Sequence, residues 1–236
     1  MKLCYQVATP DVKISPDVTA FQGSLNKSFG KLGEMGYDGA ELMTLNPKEL
    51  NWDIVKREAE KNKLSIALVC TGEIFGQLKL SFMDKNDEVR CEAVKKVKEI
   101  IDFAAFLGAN INIGRVRGQY CREIPKEISY KYAVDAFKNI SDYAGNKNVM
   151  IALENVTYMQ TNFVNTIEEA AKVVRDVDND YFRLMMDIYH MNIEEKDMFQ
   201  VIEKYSKYNI HDLRKTLNLR QMQGYVWLIN WKIRST

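Results

Sequence analysis

Along most of this chain, short apolar runs alternate with longer stretches that are apolar at every third or fourth position. The run KLCYQV predicts a strand. FQGSLNKSFGKLGEMG predicts a helix stopped at Gly36, because glycine accepts the left-handed turn that closes a helix. YDGAEL is the next predicted strand, and the cycle repeats. NWDIVKREAEKNK, DEVRCEAVKKVKEIIDFAAFLG, YKYAVDAFKNISDYAG and TIEEAAKVVRDV read as helices. LSIALVC, ANINIG, NVMIALEN and YFRLMMD read as the strands that go with them, giving six βα units.

Strands such as VMIALE are apolar at successive rather than alternate positions, the pattern of parallel strands covered on both faces. Repeated units of this kind leave an open doubly wound sheet or a closed barrel. No G-x-G-x-x-G follows the first strand, so the nucleotide-binding open sheet has no support. Units of about 30 to 35 residues favour an α/β fold of the (β/α)8 TIM-barrel type. KYNIH would end a seventh strand at His211, after which no further βα unit is legible. The expectation is a barrel domain over residues 1–211, incomplete after the seventh strand, and an atypical tail over 212–236. Unpaired strand edges left by such a barrel invite association into a homo-oligomer.

Chemistry in a barrel gathers at the C-terminal ends of strands. The residues there are Glu41, Thr71, Arg115 and Arg117 in GRVRG, Glu154, Asp187 and His211. An aspartate closing the apolar run FRLMMD needs a partner, since burying a lone carboxylate costs several kcal/mol. Glu154, Asp187 and His211 at the tops of three consecutive strands form an O,O,N set suited to Mn²⁺, Mg²⁺ or Co²⁺. Taken singly, each carboxylate has a plainer explanation in capping the next helix or pairing with a lysine. Glu194 and Glu195 are read that way, at a helix start where the macrodipole favours negative charge. Arg115 and Arg117, beside Gly114 and Gly118, suit an anionic or hydroxylated ligand.

Composition narrows the partner. Thirty-three basic and 32 acidic residues leave a net charge of +1, which gives no footprint for nucleic acid or an anionic membrane. A small molecule is the expected partner. Cys4, Cys70, Cys91 and Cys121 are widely spaced, which suits reduced thiols buried in the core of a cytoplasmic protein. No window approaches the roughly 18 apolar residues of a membrane span.

MMDIYHMNIEE together with IALENVTYMQTNFVNT resembles the sugar phosphate isomerase/epimerase family, the xylose isomerase-like TIM barrels that include ketose 3-epimerases and hydroxypyruvate isomerases. GYDGAEL and NIGRVRG add weaker matches, and the resemblance runs from Met1 to about Tyr208. It implies that Glu154 binds a metal and transfers a proton, that Asp187 is a ligand, and that His190 contacts a substrate oxygen. A divalent ion on the carbonyl and hydroxyl of a ketose or sugar phosphate would acidify the neighbouring C–H by stabilising an enediolate. Epimerisation then needs two carboxyls on opposite faces.

The chain departs from the family at two places. A substrate-binding glutamate expected six residues after Glu154 is Gln160, which can hydrogen-bond but cannot ionise. After Asp212 the chain contains no acidic residue, so the family's final glutamate, both ligand and second base, is missing from the tail. Two accounts of that tail stand open: an altered reading of a longer gene, or a short variant covering the barrel edge. The functional alternatives are an inactive sugar-binding remnant and a dehydratase on the same barrel. An apurinic endonuclease is disfavoured, because its zinc cluster needs several histidines and this chain has two.

Overall fold

The computed structural model describes residues 3–16 and 20–210. Six strands pair in parallel in chain order: β1 (Cys4–Ala8), β2 (Gly39–Met43), β3 (Ser65–Cys70), β4 (Asn110–Ile113), β5 (Ile151–Glu154) and β6 (Phe182–Met185). The continuous apolar character of the strands has the expected cause. In β5, Ile151, Ala152 and Leu153 are all buried, as strands covered on both faces require. Asn209 forms a parallel bridge with Leu184, and the Ile210 N–H donates to the Leu184 carbonyl at 2.8 Å. The chain therefore reaches the place of a seventh strand, and the fold among the described residues is an incomplete TIM barrel. His211 and the 212–236 tail lie outside the described residues.

The helices are α1 (Leu25–Glu34), α2 (Trp52–Lys61), α3 (Gly72–Leu78), α4 (Asp87–Leu107), α5 (Lys126–Gly145), α6 (Ile167–Val177), α7 (Ile188–Glu194) and α8 (Met198–Tyr205). α4 starts where the Asn86 side chain accepts from the Glu88 N–H, and it ends at Gly108, whose φ of 67° only glycine adopts without strain. α6 is set by a reciprocal capping box between Thr166 and Glu169, and its face of Ile167, Ala170, Val174 and Val177 is buried. Between sheet and helices, Phe82 meets Phe137 edge to face and Phe137 meets Phe182 at a tilt, with centroid separations of 5.7 and 5.0 Å. Each such ring contributes about 1.5–3 kcal/mol on burial. Among the described residues no helix is long and apolar enough to cross a membrane.

Three sequence expectations change here. α3 was not legible, because GEIFGQL carries two glycines and too few turns to show a period. Glu194 and Glu195 stand at the end of α7 rather than at a helix start. Glu195 instead accepts from the Ile167 N–H at 2.7 Å, so the macrodipole it meets is that of α6. Of the four cysteines, Cys70 is buried, Cys4 and Cys121 are half-buried and Cys91 is exposed, and none of the four forms a disulfide.

One carboxylate fixes the loop after β1 to the end of β2. Asp11 accepts from the Thr9 hydroxyl, and its second oxygen accepts from Thr44 Oγ1 at 2.8 Å, Leu45 N at 2.7 Å and Asn46 N at 2.6 Å. Asp11→Ala strands two backbone N–H groups and a buried hydroxyl. We expect it to cost about 2–4 kcal/mol in urea unfolding at pH 7, with much of the loss recovered in Asp11→Asn. A midpoint unchanged from the parent protein would show that water replaces the carboxylate without cost.

Candidate active site

Side chains alternate across a strand, and in this sheet one set of alternates faces the helices while the other faces the barrel interior. In β2, Ala40 and Leu42 are fully buried and Glu41 and Met43 are not. Register then carries Glu41 against Gln6 of β1, Cys70 of β3 against Asn112 of β4, and Asn112 against Ala152 of β5. Glu154 closes β5 next to Met185 of β6, two residues before Asp187. Glu41, Glu154 and Asp187 thus stand at the same end of one wall.

Glu154 is held from two sides. Asn112 Nδ2 donates to its Oε2 at 3.2 Å, and Asn112 Oδ1 in turn accepts weakly from the Thr71 N–H at 3.4 Å. Gly114 completes the seat, since a Cβ there would lie 3.2 Å from Glu154 Oε2. Burial, and after it the negative charge of Asp187, pushes the Glu154 carboxyl up to about 7. Asp187 caps α7: its Oδ1 accepts from the N–H groups of Tyr189 at 2.8 Å and His190 at 3.1 Å. The plain explanation for this aspartate is therefore half correct. Capping uses one oxygen, and among the described residues Oδ2 accepts no hydrogen bond.

α7 swings His190 back over the same mouth. One donor atom each from Glu154, Asp187 and His190 lie within 4.8 Å of one another, a grouping able to hold a metal ion. His190 Nε2 is 3.9 Å from Glu154 Oε1, and its Nδ1 is buried without a hydrogen-bond partner. Burial holds this imidazole below its ordinary value and so favours the neutral form. Glu41 is also raised, first by burial and less by the charge of Asp187, against a side-chain hydrogen bond from Gln6 that lowers it.

The two arginines of GRVRG separate completely. The Arg115 side chain is 39% exposed, with Nη2 3.7 Å from Glu73 Oε1. Arg117 is fully buried, donates from Nη1 to the Glu154 backbone carbonyl, and leaves Nε and Nη2 without partners. Burial lowers it to about 10, so it keeps its charge at neutral pH. Gln160 lies in the exposed turn that follows β5. His211 lies outside the described residues.

Sequence reasoning passed over Asn112 and Glu73. Asn112 sits in the run ANINIG, where a buried asparagine amid isoleucines was the available signal. Glu73, 7% exposed and bonded to Gln77 Nε2 at 2.9 Å, falls in the helix that was not foreseen.

Residues 29–224 match the sequence profile described as xylose isomerase-like TIM barrel. The chain is 24% identical over 193 residues to a 3-dehydro-D-guloside 4-epimerase of Escherichia coli, a match covering 77% of this chain and 70% of that protein. It is 24% identical over 180 residues to an L-ribulose 3-epimerase of Mesorhizobium japonicum, covering 75% of this chain but only 59% of that protein, less than two thirds of its length. Among solved structures, the apo crystal structure of a 3-keto-D-glucoside 4-epimerase from E. coli superposes with a TM-score of 0.72 at 21% identity, over 89% of this chain and 76% of that one.

Proposed function

Because the chain belongs to the xylose isomerase-like TIM barrel family, we propose that it is a metal-dependent epimerase or isomerase of a keto-sugar that works by moving a proton beside the carbonyl. The observation that carries this reading is the convergence of Glu154, Asp187 and His190 at the barrel mouth. Two relatives named as sugar epimerases support the substrate class.

The residues fit a divalent cation. Two carboxylates crowd together with no ion pair from a lysine or arginine among the described residues, Asp187 keeps one oxygen beyond its capping role, and His190 keeps a buried nitrogen without a protein partner. Glu154 and Asp187 would hold the ion, with His211 as the nitrogen ligand expected from the sequence. When bound, the ion supplies positive charge that stabilises the oxyanion formed as the C–H bond breaks.

The chain's own side chains do the rest. Asn112 and Gly114 hold Glu154 Oε2 and leave Oε1 facing His190. A carboxyl near neutrality is matched to general base work at pH 7, because a substantial fraction is ionised while the group stays basic. Neutral His190 can donate an N–H to a substrate oxygen while Glu154 takes the proton from carbon. Arg115, Gln160 and Glu41 are assigned to the substrate's hydroxyls. Arg117, buried behind the carboxyl, acts on the Glu154 carbonyl rather than through solvent.

Mn²⁺ titration followed by electron paramagnetic resonance tests the site. Asp187→Asn is expected to weaken Mn²⁺ binding by about 100-fold or more, since a ligand charge is lost. Affinity equal to the parent protein's would remove the metal centre from this mouth. Deuterium incorporation next to the carbonyl of D-fructose, D-psicose or L-ribulose in D₂O tests the chemistry. Binding of both metal and ketose without exchange into any of them would leave a non-catalytic sugar-binding protein.

A further inference from the structure

α7 brings two groups to the mouth, Asp187 at its cap and His190 in its first turn, yet little within the helix holds it there. It is seven residues long, its buried residues are His190 and Met191, and Tyr189 and Ile193 are exposed. A helix this short is marginal without outside support. It also ends against its own dipole. Glu194 and Glu195 lie at its C-terminal end, where negative charge is unfavourable, and neither forms an ion pair with a lysine or arginine among the described residues. Resting on the epimerase reading above, we infer that Glu194 is a positioning residue: its carboxylate straps α7 to the turn that follows Glu154, and so keeps His190 at its working distance from the Glu154 carboxyl.

Three hydrogen bonds run between α7 and the segment joining β5 to α6. The Asp187 N–H donates to Asn155 Oδ1 at 3.1 Å, the Tyr158 N–H to Glu194 Oε1 at 2.7 Å, and the Ile167 N–H to Glu195 Oε1 at 2.7 Å. The first secures the start of the helix, and the third ties its end to α6. The second reaches the exposed turn of Tyr158, Met159 and Gln160, and among the described residues it is the hydrogen bond that joins those three to another element. A glutamate that merely faced solvent would leave both oxygens to water. A charge-assisted bond of this length to a backbone N–H fixes one of them.

The strap bears on the imidazole through helix geometry. Glu194 follows His190 by four residues, so their side chains stand one above the other on the same face of α7. His190 Nε2 lies 3.9 Å from Glu154 Oε1, and its Nδ1 has no partner. Among the described residues the ring makes no hydrogen bond that would hold it in place. Its spacing from Glu154 is therefore set by the backbone that carries it, and that backbone is fastened one turn further on by Glu194.

The test compares Glu194→Ala, which removes the acceptor, with Glu194→Gln, which keeps it, in the full chain loaded with Mn²⁺. Exchange of the Tyr158 amide with solvent is followed by ¹⁵N NMR. Deuterium transfer into the ketose that the parent protein labels is resolved into kcat and KM. In Glu194→Ala the amide should exchange about tenfold faster or more. Its kcat should fall about 10- to 100-fold, the scale of a misplacement of about an ångström between reacting groups, with KM within about threefold of the parent. Glu194→Gln should recover both readouts to within about threefold. The urea midpoint and Mn²⁺ affinity should match the parent's in both variants, since a residue serving only the fold would lower them together with the rate. Parent-like kcat in Glu194→Ala overturns the assignment, whether or not the Tyr158 amide is released, and so does a rate lost in step with the urea midpoint or Mn²⁺ affinity. Glu194→Gln as slow as Glu194→Ala would trace the effect to charge and overturns it too. If the parent protein labels no ketose, the epimerase reading falls, and the Tyr158 amide alone decides the strap: faster exchange in Glu194→Ala supports it, and unchanged exchange overturns it.

Discussion

Glu154→Gln should reduce solvent-hydrogen exchange into ketoses by about 10³-fold, with the fold intact. The glutamine keeps the volume and can still accept from Asn112 Nδ2, so the change removes basicity and one ligand charge and little else. General base catalysis is worth about 10²–10⁴-fold, and weaker metal binding adds to the loss. The measurement is deuterium incorporation by NMR at saturating Mn²⁺, with circular dichroism and thermal unfolding as controls for structure. Saturating metal separates the two contributions, because the ligand effect diminishes as the site fills while loss of the base does not. Exchange within tenfold of the parent rate would assign the proton transfer to another residue.

The second large effect is on pH. In protein stripped of divalent ions, Glu154 holds its proton up to about pH 7 in the fold, against 4.5 when unfolded. Between these values the native state binds more protons than the unfolded state, so stability falls as pH rises. Carried across that window, the shift amounts to about 3 kcal/mol lost between pH 4.5 and 7. His190 acts in the opposite sense. Its folded value lies below 6.5, so its contribution is present above 6.5 and diminishes as pH drops. Comparing urea unfolding of parent and Glu154→Gln from pH 4.5 to 8 isolates the glutamate. The variant should gain on the parent up to about pH 7 and level off above it, and parallel curves would show that Glu154 is not held protonated by its burial. Mn²⁺ affinity should follow the same group, falling about tenfold per pH unit below 7, because the ion and the proton compete for one carboxylate.

Much of this site was legible because barrels write their chemistry at predictable places. A polar residue ending an apolar strand is visible in any sequence, and Glu41, Glu154 and Asp187 were found that way. Their convergence follows from parallel strands in chain order, which the succession of βα units already dictates. The loops resisted reading for a physical reason: their conformation is set by partners distant in sequence. Glu195 looked like the start of its own helix and instead serves the first turn of α6, 28 residues earlier. Asp187 looked like either a ligand or a cap, and its two oxygens allow both.

By itself, the sequence determined the parallel α/β architecture, the strand ends and the carboxylates they carry, because these depend on local periodicity and on which residues tolerate burial. The tertiary structure alone decided where those groups sit and what they touch. In GRVRG, Arg115 and Arg117 have the same side chain and neighbouring glycines, yet a short 3₁₀ turn over Arg115–Arg117 sends them to different solvents. Arg115 meets Glu73 in partly exposed surroundings, while Arg117 goes fully inside to the Glu154 carbonyl. Asn112 reaches Glu154 only because register sets β4 beside β5. Burial and charge at a point in space come from what the whole chain packs around it, which no window of sequence contains.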